Sequence, residues 1–431
     1  MKQKPKSTRK ILRVLGIVIF VFTVLTVTLL LPVTQTYLGQ RVTQSLYERF
    51  GTKISVDNIH ISPFGYVTLE HVLANDYKQD TLIFVEYARM SALRLRAVLQ
   101  GDNNLGVVFL RNVNCNITTH NGDEASNMDL FFKQFKAVET KSPNASFFVS
   151  SIQLTQSELR IQNDNRAESK PLIFTEMNAD IDAFSVVDDA IQAEINQLDL
   201  ISNWNNTQLT SLSGTYSLSP HQMNLNDATN QTASSALQTD IALKYPKKGL
   251  KRFTDSVQID LGIRKSNLSA TDLKKIIPNW TTGNISFTGD LTGTVQDFAL
   301  QNAVVLNDNN RLEFSLNSSK TLDSIDRKLN ATWKLTSDEI VTYFDKILTE
   351  KNKAALTLMG AVSSTGNATF STNTWSVATT IDAELGVLDA AVVYNTQSVT
   401  PSYEVTLNTE LFDIGTLLTI PTLETLSLIH I

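Results

Sequence analysis

Apolar and polar residues alternate along most of the chain after Gly51. Ile285, Phe287 and Leu291, for example, share one parity, and most residues between them are polar or small. Successive side chains of a β-strand point to opposite faces, so such a segment has one apolar and one polar face. The same alternation returns at residues 67–73, 83–87, 93–95, 173–183, 257–263 and 375–385. The sequence therefore predicts a mainly β fold whose sheet meets water on one side only.

Turn-forming residues separate these segments. Clusters of Asn, Asp and Gly stand at residues 163–165, 307–310 and 366–367, where we expect strands to end. No stretch rich in Pro, Gly or Ser interrupts the pattern as an interdomain linker would. The sequence predicts one continuous, elongated β structure over residues 52–431.

Short helices are expected at only three places in this region. One is predicted over residues 128–138. A second covers residues 269–277, where Ser269 is the cap and Pro278 ends the helix. The third is predicted over residues 336–344, with a serine cap at Ser337.

The N-terminus has the pattern of a membrane anchor. Residues 14–31 carry no charge, and counted from Ile11 the stretch has 21 residues. At 1.5 Å per residue it is long enough to cross a hydrocarbon core of about 30 Å. It exceeds the apolar region of a signal peptide and has no small-residue cleavage site, so we expect residues 11–31 to remain as a transmembrane signal anchor. Side chains predicted to face lipid are Val14, Ile17, Phe20, Leu25 and Leu31.

Charge sets the predicted orientation of the anchor. The basic residues Lys2, Lys4, Lys6, Arg9, Lys10 and Arg13 precede the apolar stretch without an acidic residue. Such a flank stays in the cytoplasm, so residues 1–10 form a cytoplasmic tail and the bulk of the chain lies across the membrane. In a bacterium this is a single-pass inner-membrane protein with a periplasmic body. Residues 32–51 are predicted to form an amphipathic helix, because apolar residues recur every four positions from Leu38 to Phe50.

Composition and motifs exclude several classes of function. The net charge of −6 disfavours nucleic-acid binding, and a lone cysteine, Cys115, excludes a disulfide framework and a cysteine-cluster zinc site. No nucleophile elbow, phosphate-binding loop or metal-binding helix motif is present. The five histidines, His60, His71, His120, His221 and His430, stand in no recognisable constellation. We therefore predict no catalytic residues, no metal ligands and no cofactor, and a protein that is not an enzyme.

What remains is the apolar face of the sheet, which must be covered. The predicted helices are too few to cover it, which leaves two alternatives. The sheet curls into a groove that holds acyl chains, or two sheets cover each other in a sandwich. Residues predicted to line a groove are Val67, Leu69, Ile173, Met177, Ile181, Val257, Ile259, Ile285, Phe287, Leu291, Val377 and Ile381.

A basic N-terminus and a single anchor lead into a short amphipathic helix, and strand patterns follow at residues 53–72, 80–85, 93–95, 105–116, 126–130 and 283–300. This order of elements resembles the start of AsmA-like proteins, and most closely the TamB (translocation and assembly module) type.

The resemblance implies a periplasmic repeating β-groove, or β-taco, with a hydrophobic interior. It implies a role in outer-membrane biogenesis, through phospholipid transport between the membranes or through support of barrel-protein assembly. The expected partners are phospholipid, the inner membrane and an outer-membrane barrel protein, with no nucleic acid. TamB-type chains extend much further, so we expect that this chain is truncated at its apolar end, residues 426–431, and lacks the partner-binding region. The alternative is an anchored periplasmic scaffold that binds proteins and transports no lipid.

Overall fold

The computed structural model describes most of the chain after residue 53. The predicted anchor and nearly all of the predicted amphipathic helix lie outside the described residues, although Gln44 is helical. Among the described helices, none has the length and apolar character needed to span a membrane. The described residues are 44, 54–62, 64–100, 102–131, 146–165, 170–246, 253–280, 283–308, 310–323, 325–338, 340, 350–396, 400–410 and 412–413.

The described chain is mainly β, as predicted, and divides into two compact units, Met1–Leu209 and Thr210–Ile431. The strands of the first unit are β1 Ile54–Ile61, β2 Tyr66–Asn75, β3 Thr81–Ser91, β4 Val107–Thr119, β5 Ser146–Asn163, β6 Leu172–Val187 and β7 Ala190–Ser202. Those of the second unit are β8 Thr207–Ser219, β9 Gln222–Gln231, β10 Ala236–Lys244, β11 Gln258–Asn267, β12 Ser286–Gly293, β13 Phe298–Asn307, β14 Asn310–Ser319, β15 Lys328–Ser337, β16 Val362–Ser371, β17 Thr374–Ala383, β18 Gly386–Asn395 and β19 Ser402–Glu410.

Helices are few and short, as predicted. They are Ala92–Leu99, Phe253–Ser256, Ala270–Ile276 and Glu350–Thr357, with one 3-10 turn at Trp204–Asn206. Residues 127–131 are also helical and overlap the start of the helix predicted over residues 128–138, whose residues 132–138 lie outside the described residues.

In the first unit, strands β1 to β7 pair in chain order. Neighbours are antiparallel, except β4 and β5, which run parallel. The helix Ala92–Leu99 covers part of one face of this sheet, over β2 and β3. Its Leu95 joins a buried cluster with Val67, Leu69 and Val108. This part of the molecule therefore has an ordinary hydrophobic core, stabilised by about 25 cal/mol for each Å² of apolar surface removed from water.

The second unit is a meander in which strands β8 to β19 pair antiparallel, each with the next along the chain. Strand β15 shows the predicted alternation most clearly. Leu329, Ala331, Trp333 and Leu335 are partly buried, and each residue between them is exposed. A small core lies at one end of these strands, where Met359, Val362 and Phe412 pack with Leu356 of the helix Glu350–Thr357 and with Ile381 and Leu388 of β17 and β18.

Bulges offset the alternation in the middle of several strands. Non-glycine residues with positive φ occur inside strands at His71, Asn112, Gln156, Glu176, Ala183, Asp227 and Asn302. Side-chain oxygens of the next strand accept the backbone N–H at two of them. Asn178 Oδ1 accepts from Gln156 at 2.9 Å, and Asp240 Oδ1 accepts from Asp227 at 2.8 Å. Such bulges bend strands and move side chains to the opposite face. A prediction from strict alternation of apolar and polar residues does not include them.

The helix predicted over residues 269–277 is confirmed as Ala270–Ile276. Ser269 is its N-cap, and its Oγ accepts a hydrogen bond from the backbone N–H of Asp272 at 3.2 Å. This bond satisfies one of the free donors at the helix start.

Three local predictions are wrong. The predicted start of the helix over residues 336–344 is wrong, because Ser337 is the last residue of β15 and donates to Asn310 Oδ1 at 2.5 Å; residues 339 and 341–344 of that helix lie outside the described residues. Residues 93–95, predicted as a strand, lie in the helix Ala92–Leu99, where Leu95 and Val98 face the core at helical spacing. The predicted separator at residues 366–367 lies inside β16.

Candidate functional site

An apolar row crosses all twelve strands of the second unit. Each member is the direct cross-strand partner of the next, so the row runs perpendicular to the strands without a break. At about 4.8 Å per strand it extends for about 50 Å. From β8 to β19 the row consists of Tyr216, Leu225, Ile241, Leu261, Leu291, Leu300, Leu316, Ala331, Ala368, Val377, Val392 and Val405. We call it the apolar row.

Two further rows lie on the same face. One connects Phe287 with Ile381 through Val305, Leu312, Leu335 and Ser364. The other ends in four aromatic residues on successive strands. They are Phe370, Trp375, Tyr394 and Tyr403. The ring centroids of Trp375 and Tyr394 lie 5.4 Å apart. The second unit therefore carries a broad apolar face with a row of aromatic side chains at one corner.

Most of this face is only partly covered. Among the members of the apolar row, only Ala368 is buried, and the leucines and valines of the row remain partly exposed. Residues facing inward between two packed sheets are normally fully buried. In the described residues, burial thus favours an open apolar face over a closed sandwich.

The opposite face of the same strands is polar. Directly beside the apolar row, one residue along each strand, lie Asp260, Thr292, Ala299, Asn317, Asn330, Thr369, Ser376, Val393 and Glu404. Thr369 and Ser376 hydrogen-bond across strands at 2.6 Å. From β11 to β19 the two faces therefore differ in chemistry, with Ala299 and Val393 as the apolar exceptions on the polar face.

Two shallow depressions lie on the polar side. One, of about 480 Å³, is lined mostly by polar-face residues of β15 to β19, among them Thr332, Asn367, Asp389 and Asn408. The other is lined largely by residues of β13 to β15, including Arg311 and other charged side chains. Neither is an apolar cavity of the kind that encloses a small hydrophobic ligand.

The residues predicted to line a groove occupy three environments. Val67 and Leu69 lie in the core beneath the helix Ala92–Leu99, and Val257 and Ile285 are also buried. Five lie on the partly covered apolar face of the second unit, with Leu291 and Val377 in the apolar row itself. The five are Ile259, Phe287, Leu291, Val377 and Ile381.

The other three predicted residues lie on β6 of the first unit. Met177 and Ile181 are partly buried, and Ile181 faces Ile152 and Ile195 across the neighbouring strands. The bulge at Glu176 places Ile173 on the opposite face from Met177. These three residues therefore do not form one surface.

A buried histidine–aspartate pair was not anticipated from the sequence. His120 Nε2 lies 2.8 Å from Oδ2 of Asp76, which is 4% exposed. Asn127 donates to the same oxygen at 3.2 Å, and the backbone N–H groups of Lys78 and Asp80 donate to Oδ1. Burial raises the pKa of Asp76, but these hydrogen bonds outweigh it and lower the pKa below its usual value. Asp76 and His120 are 44 residues apart, so only the fold brings them together.

A second carboxylate cluster joins a turn to a helix in the second unit. Asp272 Oδ2 accepts from Thr232 Oγ1 at 2.6 Å, Ser234 Oγ at 2.9 Å and Ser235 Oγ at 2.6 Å, and Lys275 lies 3.2 Å from Oδ1. No imidazole adjoins these serines in the described structure. Through these hydrogen bonds the cluster holds the β9–β10 turn against the helix Ala270–Ile276.

Comparison with known proteins identifies no relative of this chain. No protein-family model, no curated protein and no solved structure matches it. The functional argument therefore rests on the sequence and on the geometry above.

Proposed function

We propose that this chain is an inner-membrane-anchored periplasmic protein of envelope biogenesis whose apolar face carries phospholipid acyl chains. The observation that supports this most is the apolar row, which continues in register over twelve strands and stays partly exposed. Burying an acyl chain on such a face gains about 0.8 kcal/mol for each CH₂ group. A row without polar interruption suits a long aliphatic ligand better than a compact one.

The difference between the two faces fits this proposal. Acyl chains need a continuous apolar surface, and the polar face keeps the same strands in contact with water. The resemblance to AsmA-like and TamB-type proteins points in the same direction, toward lipid transport to the outer membrane or support of barrel assembly there. No catalytic step is part of the proposal.

The alternative is an anchored scaffold that binds other proteins and transports no lipid. The depressions on the polar side favour it, because threonine, asparagine and charged side chains line them. Such a surface offers hydrogen bonds to a protein partner. The two functions use opposite faces and are separable by mutation.

Neighbouring residues of β15 provide the test. Ala331 lies in the apolar row and Asn330 is exposed on the polar face, so Ala331→Asp and Asn330→Asp add one charge to either side of the same strand. An isolated carboxylate beside acyl chains loses hydration without gaining a partner. We expect phospholipid that co-purifies with the full chain, measured by mass spectrometry, to fall about tenfold in Ala331→Asp and to stay unchanged in Asn330→Asp.

Melting of both variants, followed by circular dichroism, is the control. We expect both to melt within a few degrees of the wild type, since Ala331 is already partly exposed. Wild-type protein free of lipid would contradict the lipid-binding function and favour the scaffold. Equal lipid content in the two variants would show that the apolar row is not the binding surface.

A further inference from the structure

Three loops meet at one end of the first unit and bring together several metal-binding side chains. The β2–β3 turn contributes Asp76 and Asp80, and His120 follows the last residue of β4. Donor atoms of Asp76, Asp80 and His120 all lie within 4.8 Å of one another. Two of these residues are buried and Asp80 is exposed, so the cluster opens to solvent on one side.

The neighbouring groups add more negative charge. Asp164, just after β5, lies 3.8 Å from Nδ1 of His120, and Asp123 accepts a hydrogen bond from Tyr77. Among the described residues, His120 is the only basic side chain that forms an ion pair with Asp76, Asp80, Asp123 or Asp164. Asp76, Asp80 and Asp164 around one imidazole, with Lys78 Nζ 5.7 Å from the neighbouring Tyr77 ring centroid, leave an excess of negative charge that a divalent cation would neutralise.

The orientation of His120 fits a metal ligand. Each ring nitrogen faces a carboxylate, Nε2 toward Asp76 and Nδ1 toward Asp164. In metal sites the imidazole commonly presents one nitrogen to the metal and its other N–H to a carboxylate. Without a metal, Nε2–H donates to Asp76 Oδ2 at 2.8 Å, because a carboxylate can only accept. With a cation bound, Nε2 would present its lone pair to the cation, and the proton would sit on Nδ1, which faces Asp164 at 3.8 Å.

We propose that Asp76, Asp80 and His120 bind a divalent transition-metal ion. One imidazole nitrogen with two carboxylate oxygens suits Zn²⁺ or Mn²⁺ better than Ca²⁺, which takes six to eight oxygen ligands. The 2.8 Å between His120 Nε2 and Asp76 Oδ2 corresponds to an angle of about 85° for bonds of about 2.1 Å. That angle is close to the roughly 90° of octahedral coordination. Water would fill the remaining coordination positions on the exposed side.

Binding at this point joins the β2–β3 turn to the end of β4. The segment after His120 contributes Phe131 to a buried cluster with Ala74 and Leu82, so fixing His120 also fixes that packing. A ligand that binds only the folded state raises stability in proportion to its occupancy. The ion would therefore stabilise the first unit, independently of lipid binding by the second.

The test compares Asp80→Asn with Asp188→Asn in the full chain, purified in detergent and stripped with EDTA. Asp80 is exposed, and among the described residues its carboxylate makes no hydrogen bond, so the substitution spares the fold. Asp188 is an exposed aspartate in the β6–β7 turn of the same unit and serves as the matched control. Binding of ZnCl₂ and MnCl₂ is measured by titration calorimetry, and melting is recorded with and without each ion.

We expect the wild type and Asp188→Asn to bind one ion per chain and to melt at higher temperature with it. Asp80→Asn should melt like the wild type without metal and bind at least about tenfold more weakly. The proposal is overturned if the wild type binds neither Zn²⁺ nor Mn²⁺. The hydrogen bond between His120 and Asp76 would then account for the pair without a metal ion. Unchanged affinity in Asp80→Asn, or binding of Ca²⁺ and Mg²⁺ in preference to both ions, would also overturn it.

Discussion

Trp333 covers Gly366 across strands β15 and β16. The two residues are direct cross-strand partners, and a Cβ on Gly366 would overlap the indole carbon Cζ2 and come within 2.6 Å of the carbonyl oxygen of Ala378. The glycine therefore makes room for the large ring on the apolar face, and the ring covers backbone that a glycine leaves bare. This pairing explains why Gly366 lies inside a strand, although glycine next to asparagine usually indicates a turn.

Gly366→Ala should destabilise the second unit. The added methyl group has no space beside Trp333, and overpacking of this kind costs about 1–3 kcal/mol. Gly283→Ala is the control, because no atom lies within 4 Å of the position its Cβ would take. Denaturant unfolding should show a lower midpoint for Gly366→Ala only. Equal midpoints would mean that the indole moves aside without loss.

Asp272 should make stability depend on pH. Burial raises its pKa, but hydrogen bonds from Ser235, Thr232, Ser234 and Lys275 outweigh it and hold the pKa far below the usual range. A carboxylate whose folded pKa is depressed contributes stability above its unfolded pKa of about 4. That contribution is lost as the pH falls toward the folded pKa.

The measurement is chemical unfolding of Asp272→Asn between pH 7 and pH 3. At pH 7 we expect the variant to be less stable than the wild type by about 1–3 kcal/mol, because hydrogen bonds to a charged acceptor are lost. The difference should shrink as the wild type loses its own contribution in acid. Asp308→Asn, at an exposed turn residue, should match the wild type throughout. A constant difference at all pH values would contradict the assignment.

Cys115 should react slowly with alkylating reagents in the folded protein. Burial raises its pKa from 9.0 to about 11, which reduces the thiolate about 100-fold at pH 8. Iodoacetamide labelling followed by mass spectrometry should therefore be much slower in the folded state than in denaturant. Labelling at the same rate in both states would show that the side chain of Cys115 is accessible at β4.

The N-terminal prediction is tested by topology. Six basic residues before an uncharged stretch should hold the N-terminus in the cytoplasm and leave the body outside. Protease added to spheroplasts should digest the body while an N-terminal tag stays protected. Replacing the six residues with Asn or Gln should weaken that protection. A soluble mature form that begins near residue 33 would overturn the anchor.

Sequence periodicity predicted the strands well where the alternation is regular, as in β15. It failed where a short spacing of apolar residues fits both a strand and a helix. Leu93 and Leu95 are spaced as in a strand, but Leu95 and Val98 provide the helical spacing that the core uses. The alternation also fails at bulges such as the one at Glu176, because one extra residue places the side chains on its two sides on opposite faces from those that a period of two predicts.

The candidate sites divide in the same way. Leu291 and Val377 lie in the apolar row, and their alternation is visible in the sequence, but the register that joins them over several strands depends on turn geometry that spacing alone does not provide. The pair of Asp76 and His120 depends on loops 44 residues apart. One local signal was present, two aspartates four residues apart in a tight turn.

Photo-crosslinking from adjacent residues of β14 tests the central claim most directly. A benzophenone amino acid placed at Leu316, in the apolar row, or at Asn317, on the polar face, samples the two sides of one strand. After irradiation in cells, we predict phospholipid adducts at position 316 and none at 317, as read by mass spectrometry of the purified chain. Lipid adducts at both positions or at neither, or only protein adducts at 316, would contradict lipid binding on the apolar face.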